Sequence, residues 1–389
     1  MFKAIILGDI HLGKGVSIGK ELSGSVLNSR IQDQLNILNW TLEQALTKLV
    51  DVIIITGDIF EDPKPHYSLI SQFMYWLKTC SNNNIKVHII FGNHDILRSG
   101  NIYNSPLDII DQVDLENVFV HRDISTLFFD KIAITFMPFR DRNSLNAATM
   151  NDAIEMLSSS IQYELALIKP ELKKVLIGHL AIEGSFYVGD EVDTLSNEIF
   201  CPLSMFSGYD YVWMGHVHTP QVMQKSPLVA HVGSMDISNF KESDQDKHIV
   251  IVSEDSYEEI SIPTRKLNDL IISVPAGVDT TQYVLEQIEK EELDLNSSIV
   301  RLKINLEDVS LQPVNKKEIM KHFSDNNVFN VCSFAESKKV EIVRSHQLSI
   351  DNTITTEIAL SKWAEQKFTD QKDKDLFISK GLELLSNLN

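Results

Sequence analysis

Five short segments of this chain share one pattern, in which an apolar, strand-like run ends in glycine and a potential metal ligand follows directly. A single Gly-His or Gly-Asp pair is common, but five such segments in order favour a fold that gathers strand ends at one polar site. In α/β sheets, ligands bind in the crevice beyond the carboxyl ends of the strands. The segments are Gly8-Asp9-Ile10-His11, Gly57-Asp58-Ile59-Phe60, Gly92-Asn93-His94-Asp95, Gly178-His179 and Gly215-His216-Val217-His218.

Two of these segments place their polar residues two positions apart, as Asp9 with His11 and as His216 with His218. In an extended chain, residues i and i+2 point to the same side, so each pair can converge on a metal ion. Carboxylate, amide oxygen and imidazole ligands without a thiolate favour Mn²⁺ or Fe²⁺ over a structural zinc. A carboxylate can bind two ions at once, which makes Asp58 the natural bridge.

The seven remaining histidines lack this context, and we interpret most of them as surface or packing residues. His231 stands apart because it closely precedes Gly233-Ser234. The seven are His66, His88, His121, His231, His248, His322 and His346.

The first part of the chain alternates apolar runs with helical periodicity. Residues 3–8, 51–56 and 85–91 are strand-like, whereas 27–49 and 67–80 carry apolar residues every three to four positions. This order predicts α/β layering. Further along the chain, residues 144–168 are predicted to be helical, and strands are predicted within 117–137 and at 173–178, 209–215, 229–233 and 248–253.

The sequence after residue 264 changes character and predicts two further parts. Strands near 268–274, 298–305 and 328–343 and helices near 280–290 and 315–324 indicate a small α+β domain. An apolar stripe in the tail predicts a terminal amphipathic helix. We therefore divide the chain into residues 1–264, 265–345 and 346–389, and the stripe comprises Leu376, Phe377, Ile378, Leu382, Leu384 and Leu385.

Composition restricts the class of protein. Hydrophobic residues make up 43% and charged residues 23%, as in soluble globular proteins, and no stretch of eighteen apolar residues could span a membrane. The short apolar run after Met1 is interpreted as a strand rather than a signal peptide. Three scattered cysteines favour a reducing compartment, so we expect a cytoplasmic protein. The net charge of −19 argues against tight DNA binding by this chain alone.

Together the five segments resemble the calcineurin-like metallophosphoesterase superfamily, and within it the SbcD-type DNA-repair nucleases. Three features carry the narrower resemblance: GDIFEDPKP at 57–65, the single Gly-His at 178–179 followed by GHVH at 215–218, and GSMDISNFKE at 233–242. The resemblance covers about residues 1–262. Beyond that point, only the architecture is similar.

The resemblance implies an αββα sandwich of two sheets, followed by a small α+β capping domain and a helical tail. It implies two Mn²⁺ ions, with Mg²⁺ or Fe²⁺ as substitutes, and gives His94 the role of catalytic histidine. One ion would be held by Asp9, His11, Asp58 and His218, and the other by Asp58, Asn93, His179 and His216.

One position departs from the family pattern. Archaeal members carry a histidine three residues after the bridging aspartate, and the Ser/Thr phosphatases carry an aspartate there, whereas this chain has Glu61. Our hypothesis is that Glu61 accepts a hydrogen bond from His94 and fixes its ring; the alternative is a solvated loop carboxylate. Asp95 either supports the His94 loop or caps a turn.

The function implied is a Mn²⁺-dependent exonuclease and endonuclease that acts on double-stranded DNA ends and hairpins in repair, recombination and replication. The implied partners are an SbcC-like coiled-coil ATPase, docked on the tail, and a second copy of the chain, in a bacterial or phage-infected cytoplasm without membrane attachment. Lys14, Lys20, Arg98, Arg140 and Arg142 lie near the motif loops and are candidates for phosphate contacts.

Two alternatives remain open. A small-molecule phosphodiesterase or phosphatase would fit the acidic charge, although the residues beyond 264 favour a larger substrate or a partner. A non-catalytic scaffold on the same fold would be expected to have lost ligands, yet every ligand position and His94 are filled.

Overall fold

A computed structural model describes residues 2–24, 27–99, 102–188, 197–339, 356–368 and 370–386. The chain separates into two compact units, Met1–Lys339 and Val340–Asn389, which are described individually. Among the described residues, no helix combines the length and the apolar character needed to cross a lipid bilayer.

Besides three short 3₁₀ helices at Val16–Ile18, Leu203–Phe206 and Phe240–Glu242, the larger unit contains six α-helices and nineteen strands within its described residues. In chain order these are β1 (Lys3–Leu7), α1 (Ser29–Thr47), β2 (Val52–Ile55), α2 (Tyr67–Asn82), β3 (Lys86–Ile90), β4 (Leu97–Ser99), β5 (Ile102–Asn104), α3 (Leu107–Val113), β6 (Val118–His121), β7 (Ser125–Phe129), β8 (Ile132–Met137), α4 (Met150–Ala166), β9 (Lys173–His179), β10 (Ala181–Ile182), β11 (Phe200–Cys201), β12 (Tyr211–Gly215), β13 (Gln221–Lys225), β14 (Leu228–His231), β15 (His248–Ser253), β16 (Tyr257–Ser261), β17 (Leu267–Val274), α5 (Thr280–Lys290), β18 (Ile299–Leu306), α6 (Lys316–Asp325) and β19 (Asn330–Lys338).

Two six-stranded sheets form the centre of this unit. The first has the order β16-β15-β1-β2-β3-β6, and the second has the order β13-β14-β12-β9-β8-β7. The strands that carry the glycine motifs are parallel neighbours in each sheet, namely β1, β2 and β3 in the first and β9 and β12 in the second. Their carboxyl ends therefore meet at common edges.

Apolar packing produces four layers. Alternate residues of β1 show this division, since Ile5 packs under α1 and α2 while Ile6 faces the layer between the two sheets. Trp213 and Phe136 of the second sheet fill that middle layer, and α4 covers the outer face of the second sheet. The predicted αββα sandwich is confirmed.

Most predicted elements are present, with shifted ends. The helix expected at 144–168 begins only at Met150, because Thr149 and Asp152 form a reciprocal capping box there. The short helix α3 and the hairpin strand β13 were not predicted. The helix α3 has only seven residues, too few for a clear helical period, and β13 (QVMQK) lacks the continuous apolar run that identified the other strands.

The three parallel strands β17, β18 and β19, with α5 and α6, form a small α+β layer with its own apolar cluster. The order of elements follows the sequence-based prediction, and residues 340–343 of the last predicted strand lie outside the described residues. We refer to 265–339 as the small α+β region.

A largely buried network of ion pairs attaches this region to α1. Arg30 of α1 is fully buried and binds Asp33 at 2.7 Å and Asp236 at 2.6 Å. Asp33 also accepts hydrogen bonds from Arg265 Nε at 2.8 Å and from Arg265 Nη2 at 2.6 Å. Arg265 donates a further hydrogen bond to the carbonyl of Ser297. Asp33 is thus shared between the two regions.

The smaller unit contains α7 (Thr356–Lys367) and α8 (Gln371–Ser386). The predicted terminal helix corresponds to α8, whereas α7 was not predicted. The rings of Trp363 and Phe377 stack with centroids 4.9 Å apart, and Phe368 contacts both. The side chains of Leu384 and Leu385, and all of His346, lie outside the described residues.

We expect Arg30→Met to lower the free energy of unfolding by about 3–5 kcal/mol, because it leaves Asp236 buried without its cation. The comparison is Lys48→Met, which breaks the exposed pair with Glu258 and should cost less than about 1 kcal/mol. Urea unfolding of both variants measures the difference. Equal losses would show that burial of the Arg30 pair adds no stability.

Candidate metal centre

The five glycine-containing segments converge at one pocket of about 590 Å³. Three of them line it, through Asp58, Asn93, His94, His216 and His218. The other two contribute Asp9, His11 and His179, which are buried and contact these lining residues. The candidate ligands Asp9, Asp58 and Asn93 lie just beyond the ends of β1, β2 and β3. His179 is the last residue of β9, and His216 directly follows β12. The convergence follows from the parallel arrangement of these strands.

The first group of side chains consists of Asp9, His11 and His218, whose ligand atoms all lie within 4.8 Å of one another. The Nε2 atoms of His11 and His218 are 2.9 Å apart. All three side chains are buried. Two imidazole nitrogens and a carboxylate that face one point form a set of donors for a cation.

The second group consists of Asn93, His179 and His216. Asn93 Oδ1 lies 2.9 Å from both His179 Nε2 and His216 Nδ1. Asp58 connects the two groups, because its Oδ2 atom is 3.4 Å from His11 Nε2 and 3.4 Å from His179 Nε2. This position between the groups is the one that a bridging carboxylate would need.

Each of three histidines uses its other ring nitrogen to contact a fixed acceptor. His179 Nδ1 donates to the Thr56 carbonyl at 2.7 Å, and His216 Nε2 bonds to the Glu198 carboxylate. His11 Nδ1 lies 2.8 Å from Glu61 Oε2. Such partners fix the tautomer and the ring orientation of a metal-binding histidine.

Thr56 and Glu198 were not identified from the sequence. Thr56 also donates its hydroxyl to Asp9 Oδ1 at 3.1 Å, so one residue holds two candidate ligands. As the single polar residue that closes the apolar run before Gly57, it could have been recognised. Glu198 has no spacing relation to any motif, and only the tertiary fold brings it to His216.

The hypothesis about Glu61 needs a correction. His94 Nδ1 does bond to Glu61, at 2.9 Å, but the acceptor is the backbone carbonyl rather than the carboxylate. The carboxylate instead contacts His11 and, at 3.3 Å, Lys14 Nζ. Partial burial alone would raise the pKa of Glu61, but the His11 hydrogen bond and the nearby cations lower it to about 2.

Asp95 is buried and connects two loops. It accepts hydrogen bonds from the backbone amides of Ile59 and Gly92, both at 2.9 Å. Burial and the charge of Asp58 raise the pKa of Asp95 to about 7, although the amide donors oppose this. The side chain therefore supports the loop that carries His94, whose own amide donates to Asp58 Oδ1 at 2.8 Å.

Other histidines have packing roles. His231 is buried, and its Nε2 bonds to the Ser185 hydroxyl at 2.9 Å while its Nδ1 contacts the Gly215 carbonyl at 3.2 Å. His88 and His121 bond to each other at 2.8 Å, and both stack on Phe136.

Backbone conformation is unusual at three candidate ligands. His11, Asp58 and His216 have φ angles of 47°, 49° and 82°, in the left-handed region that side chains rarely adopt. Conformations of this kind persist only where surrounding contacts impose them, and they cluster at functional sites. Close approach also requires Gly215, because a Cβ there would lie 2.4 Å from Asp9 Oδ1.

The pocket concentrates negative charge. Burial would raise the pKa of Asp58, but His179 and His11 hold it well below its usual range. Burial would lower the pKa of His179, yet the carboxylates of Asp58 and Asp9 raise it to about 9. Two buried carboxylates that draw positive charge to this degree are suited to divalent cations.

A profile of the calcineurin-like phosphoesterases matches residues 2–220, which is more than half of the 389-residue chain. The chain belongs to the calcineurin-like phosphoesterase family. It is accordingly a metal-dependent phosphoester hydrolase, and its cluster of Asp and His side chains indicates a divalent-metal site.

Two relatives extend beyond the family match. The chain is 24% identical over 333 residues to the DNA double-strand break repair protein Mre11 of Thermoplasma acidophilum, with 81% of each chain covered. It is 25% identical over 301 residues to the SbcD subunit of the SbcCD nuclease of Staphylococcus saprophyticus, with 74% of this chain and 76% of the relative covered. Among solved structures, a dimetal phosphatase from Danio rerio gives 13% identity and a TM-score of 0.38, covering 67% of this chain and 98% of the other.

We expect Glu61→Gln in this phosphoesterase to weaken metal affinity about 10- to 100-fold, because the acceptor for His11 loses its charge. Isothermal titration with Mn²⁺ measures the affinity. Asp62→Asn, an exposed neighbour, provides the matched control. Unchanged affinity with lower turnover would instead support a direct effect of Glu61 on His94.

We expect Gly215→Ala to abolish metal binding, because the added Cβ would displace the Asp9 carboxylate and the Thr56 hydroxyl. Gly277→Ala serves as the control, since its φ of +82° strains the backbone but its Cβ would meet open space. Metal content after gel filtration distinguishes the two variants. A Gly215→Ala protein with full metal content would disprove the close-packing argument.

Proposed function

We propose that this phosphoesterase is a DNA nuclease that hydrolyses phosphodiesters with two divalent cations, Mn²⁺ by preference. The observation that carries the proposal is the position of Asp58, 3.4 Å from a histidine of each ligand group. The DNA repair protein and the nuclease subunit that resemble the chain over about three quarters or more of its length support DNA as the substrate class.

In this proposal, one cation would be held by Asp9, His11, Asp58 and His218, and the other by Asp58, Asn93, His179 and His216. The donor set fits, because it offers carboxylate, amide oxygen and imidazole ligands. Mn²⁺ accepts this mixture readily, with Mg²⁺ and Fe²⁺ as substitutes. The chemistry that bound cations supply is polarisation of the phosphodiester and a lower pKa for the attacking water.

Residues of the chain itself orient the substrate and supply the proton for the leaving group. His94 donates its Nδ1 hydrogen to the Glu61 carbonyl, which leaves Nε2 for the substrate. His94 lines the pocket, and its ring centroid lies 4.8 Å from that of His11. From this position its role is to protonate the leaving oxygen or stabilise its charge. Asp95 holds the loop on which His94 is presented.

We further propose that the chain works with an SbcC-like coiled-coil ATPase in a cytoplasmic repair complex and acts as a homodimer on double-stranded ends and hairpins. One relative is itself named as part of the SbcCD nuclease. Residues 265–345 would cap the DNA, and residues 346–389 would dock the ATPase. In the described part of the tail, Ile358, Trp363 and Leu376 are exposed apolar side chains that suit such a contact.

A small-molecule phosphodiesterase is the second candidate. The net charge of −19 favours it, because polyanionic DNA is repelled by an acidic chain. Several of the basic side chains near the site are also committed to internal bonds, as with Arg142 to Asn197.

We expect His94→Ser to lower the turnover of end-labelled linear duplex DNA about 10²- to 10⁴-fold in Mn²⁺ while metal content stays constant. Bis-p-nitrophenyl phosphate is assayed in parallel. His322→Ser, on α6 in the small α+β region, controls for loss of an unrelated histidine. Both substrates are tested with and without the ATPase partner and ATP.

Hydrolysis of the small diester without cleavage of DNA, even with the partner and ATP, would remove the nuclease assignment and favour the small-molecule alternative. Full activity of His94→Ser on both substrates would remove His94 from the mechanism.

A further inference from the structure

The pocket has a second group of lining residues besides the candidate ligands. Lys14, Gly15, Ser17, Ser238 and Asn239 line it from the loop after β1 and from the segment after β14. We call these five residues the outer wall. The ligands account for the hydrolysis of one phosphate, whereas the outer wall has no role in that chemistry.

Lys14 is the one lysine or arginine among the described residues that line this pocket. Its Nζ atom lies 3.3 Å from Glu61 Oε2, and its side chain is 23% exposed. Glu61 in turn contacts His11. The ammonium group is therefore two contacts away from a candidate metal ligand and remains open to the pocket.

The other cations considered for phosphate contacts are used elsewhere. Lys20 Nζ donates to the Phe329 carbonyl at 2.7 Å, and Arg140 Nη1 donates to the Phe139 carbonyl at 2.9 Å. Arg142 binds Asn197 Oδ1 through two nitrogens. The side chain of Arg98 lies outside the described residues. In a chain with net negative charge, Lys14 thus places a positive charge in the pocket.

The loop that presents Lys14 is held in place from two sides. Gln34 accepts from the Gly13 amide at 2.9 Å and donates to the carbonyls of His11 and Lys14. From the small α+β region, Asn330 Nδ2 donates to the Ile18 carbonyl at 2.9 Å. A cation on a fixed loop loses little conformational entropy when it binds an anion.

We propose that Lys14 forms a subsite for the phosphate adjacent to the scissile one, so that the pocket selects substrates with at least two consecutive phosphodiesters. The proposal rests on the proposed nuclease function and names the feature of DNA that the site recognises. A small diester has one phosphate group, which would bind at the metal centre. In a nucleic acid strand, the scissile phosphate has a neighbouring phosphate, and an ammonium group beside the metal centre complements the charge of that neighbour.

The test uses three chromogenic substrates with the same leaving group. The first is the p-nitrophenyl ester of thymidine 5′-monophosphate, the second is the same ester of the dinucleotide pTpT, and the third replaces the second phosphate by a neutral methylphosphonate. A matching set of 3′-esters places the second phosphate on the other side of the scissile bond. Because the leaving group is constant, differences in kcat/KM measure how much the charge on the second phosphate contributes to recognition.

We expect wild-type protein to prefer the dinucleotide with the charged second phosphate about 10-fold in one of the two sets. Lys14→Ala should lose this preference, while Lys14→Arg retains it. Lys64→Ala removes an exposed lysine from the nearby turn and should keep the preference. The salt dependence of duplex DNA binding should also fall by about one charge in Lys14→Ala.

Three outcomes would overturn the subsite. One is a wild-type protein that cleaves DNA but shows no preference in either set. Another is a preference that survives in Lys14→Ala. The third is loss of metal content in Lys14→Ala, which would show that Lys14 acts through Glu61 and His11. Absence of DNA cleavage by wild type in the preceding assay would instead contradict the nuclease function itself.

Discussion

The burial of Asp9 and Asp58 is the constraint on which the rest of the site depends. Both carboxylates are almost fully inaccessible to water, and a buried charge is costly unless donors and cations surround it. Asp9 accepts from the Thr56 hydroxyl and from the His216 amide, and Asp58 accepts from the His94 amide. The histidines are the remaining neighbours of these carboxylates. Both groups of candidate ligands are therefore arranged around two aspartates whose negative charge must be compensated.

The need to place hydrogen-bond donors around these two carboxylates restricts the backbone conformation. The amides of His216 and His94 reach the carboxylates only because the chain turns sharply just after each strand, and His216 itself adopts a φ of 82°. A side chain at Gly92 would lie 2.0 Å from Asp58 Oδ1. The glycines before His216 and Asn93 thus have a second role beyond flexibility, since each leaves room for a carboxylate from a neighbouring strand.

The sequence revealed those parts of the fold and the site that are encoded locally. Apolar runs and their terminal glycines identified the strands, and the parallel order of those strands explains why the five segments meet. Glu198, Thr56 and the orientation of Glu61 could not be read in the same way, because each depends on which side chains tertiary packing places nearby. Glu61 shows the limit most clearly: its importance was anticipated, but the partner of its carboxylate was His11 rather than His94.

The attachment of the small α+β region belongs to this second, non-local kind of information. Asp33 and Arg265 lie far apart in sequence, and no periodicity connects them, yet together with Arg30 they form one largely buried network. On the other side of this junction, Arg301 stacks on Phe240, which directly follows the outer-wall residue Asn239. The contacts that hold the small region therefore also hold the outer wall. On the Lys14 side, Asn330 of the same region donates to the Ile18 carbonyl, so both segments of the outer wall have a neighbour in the small α+β region.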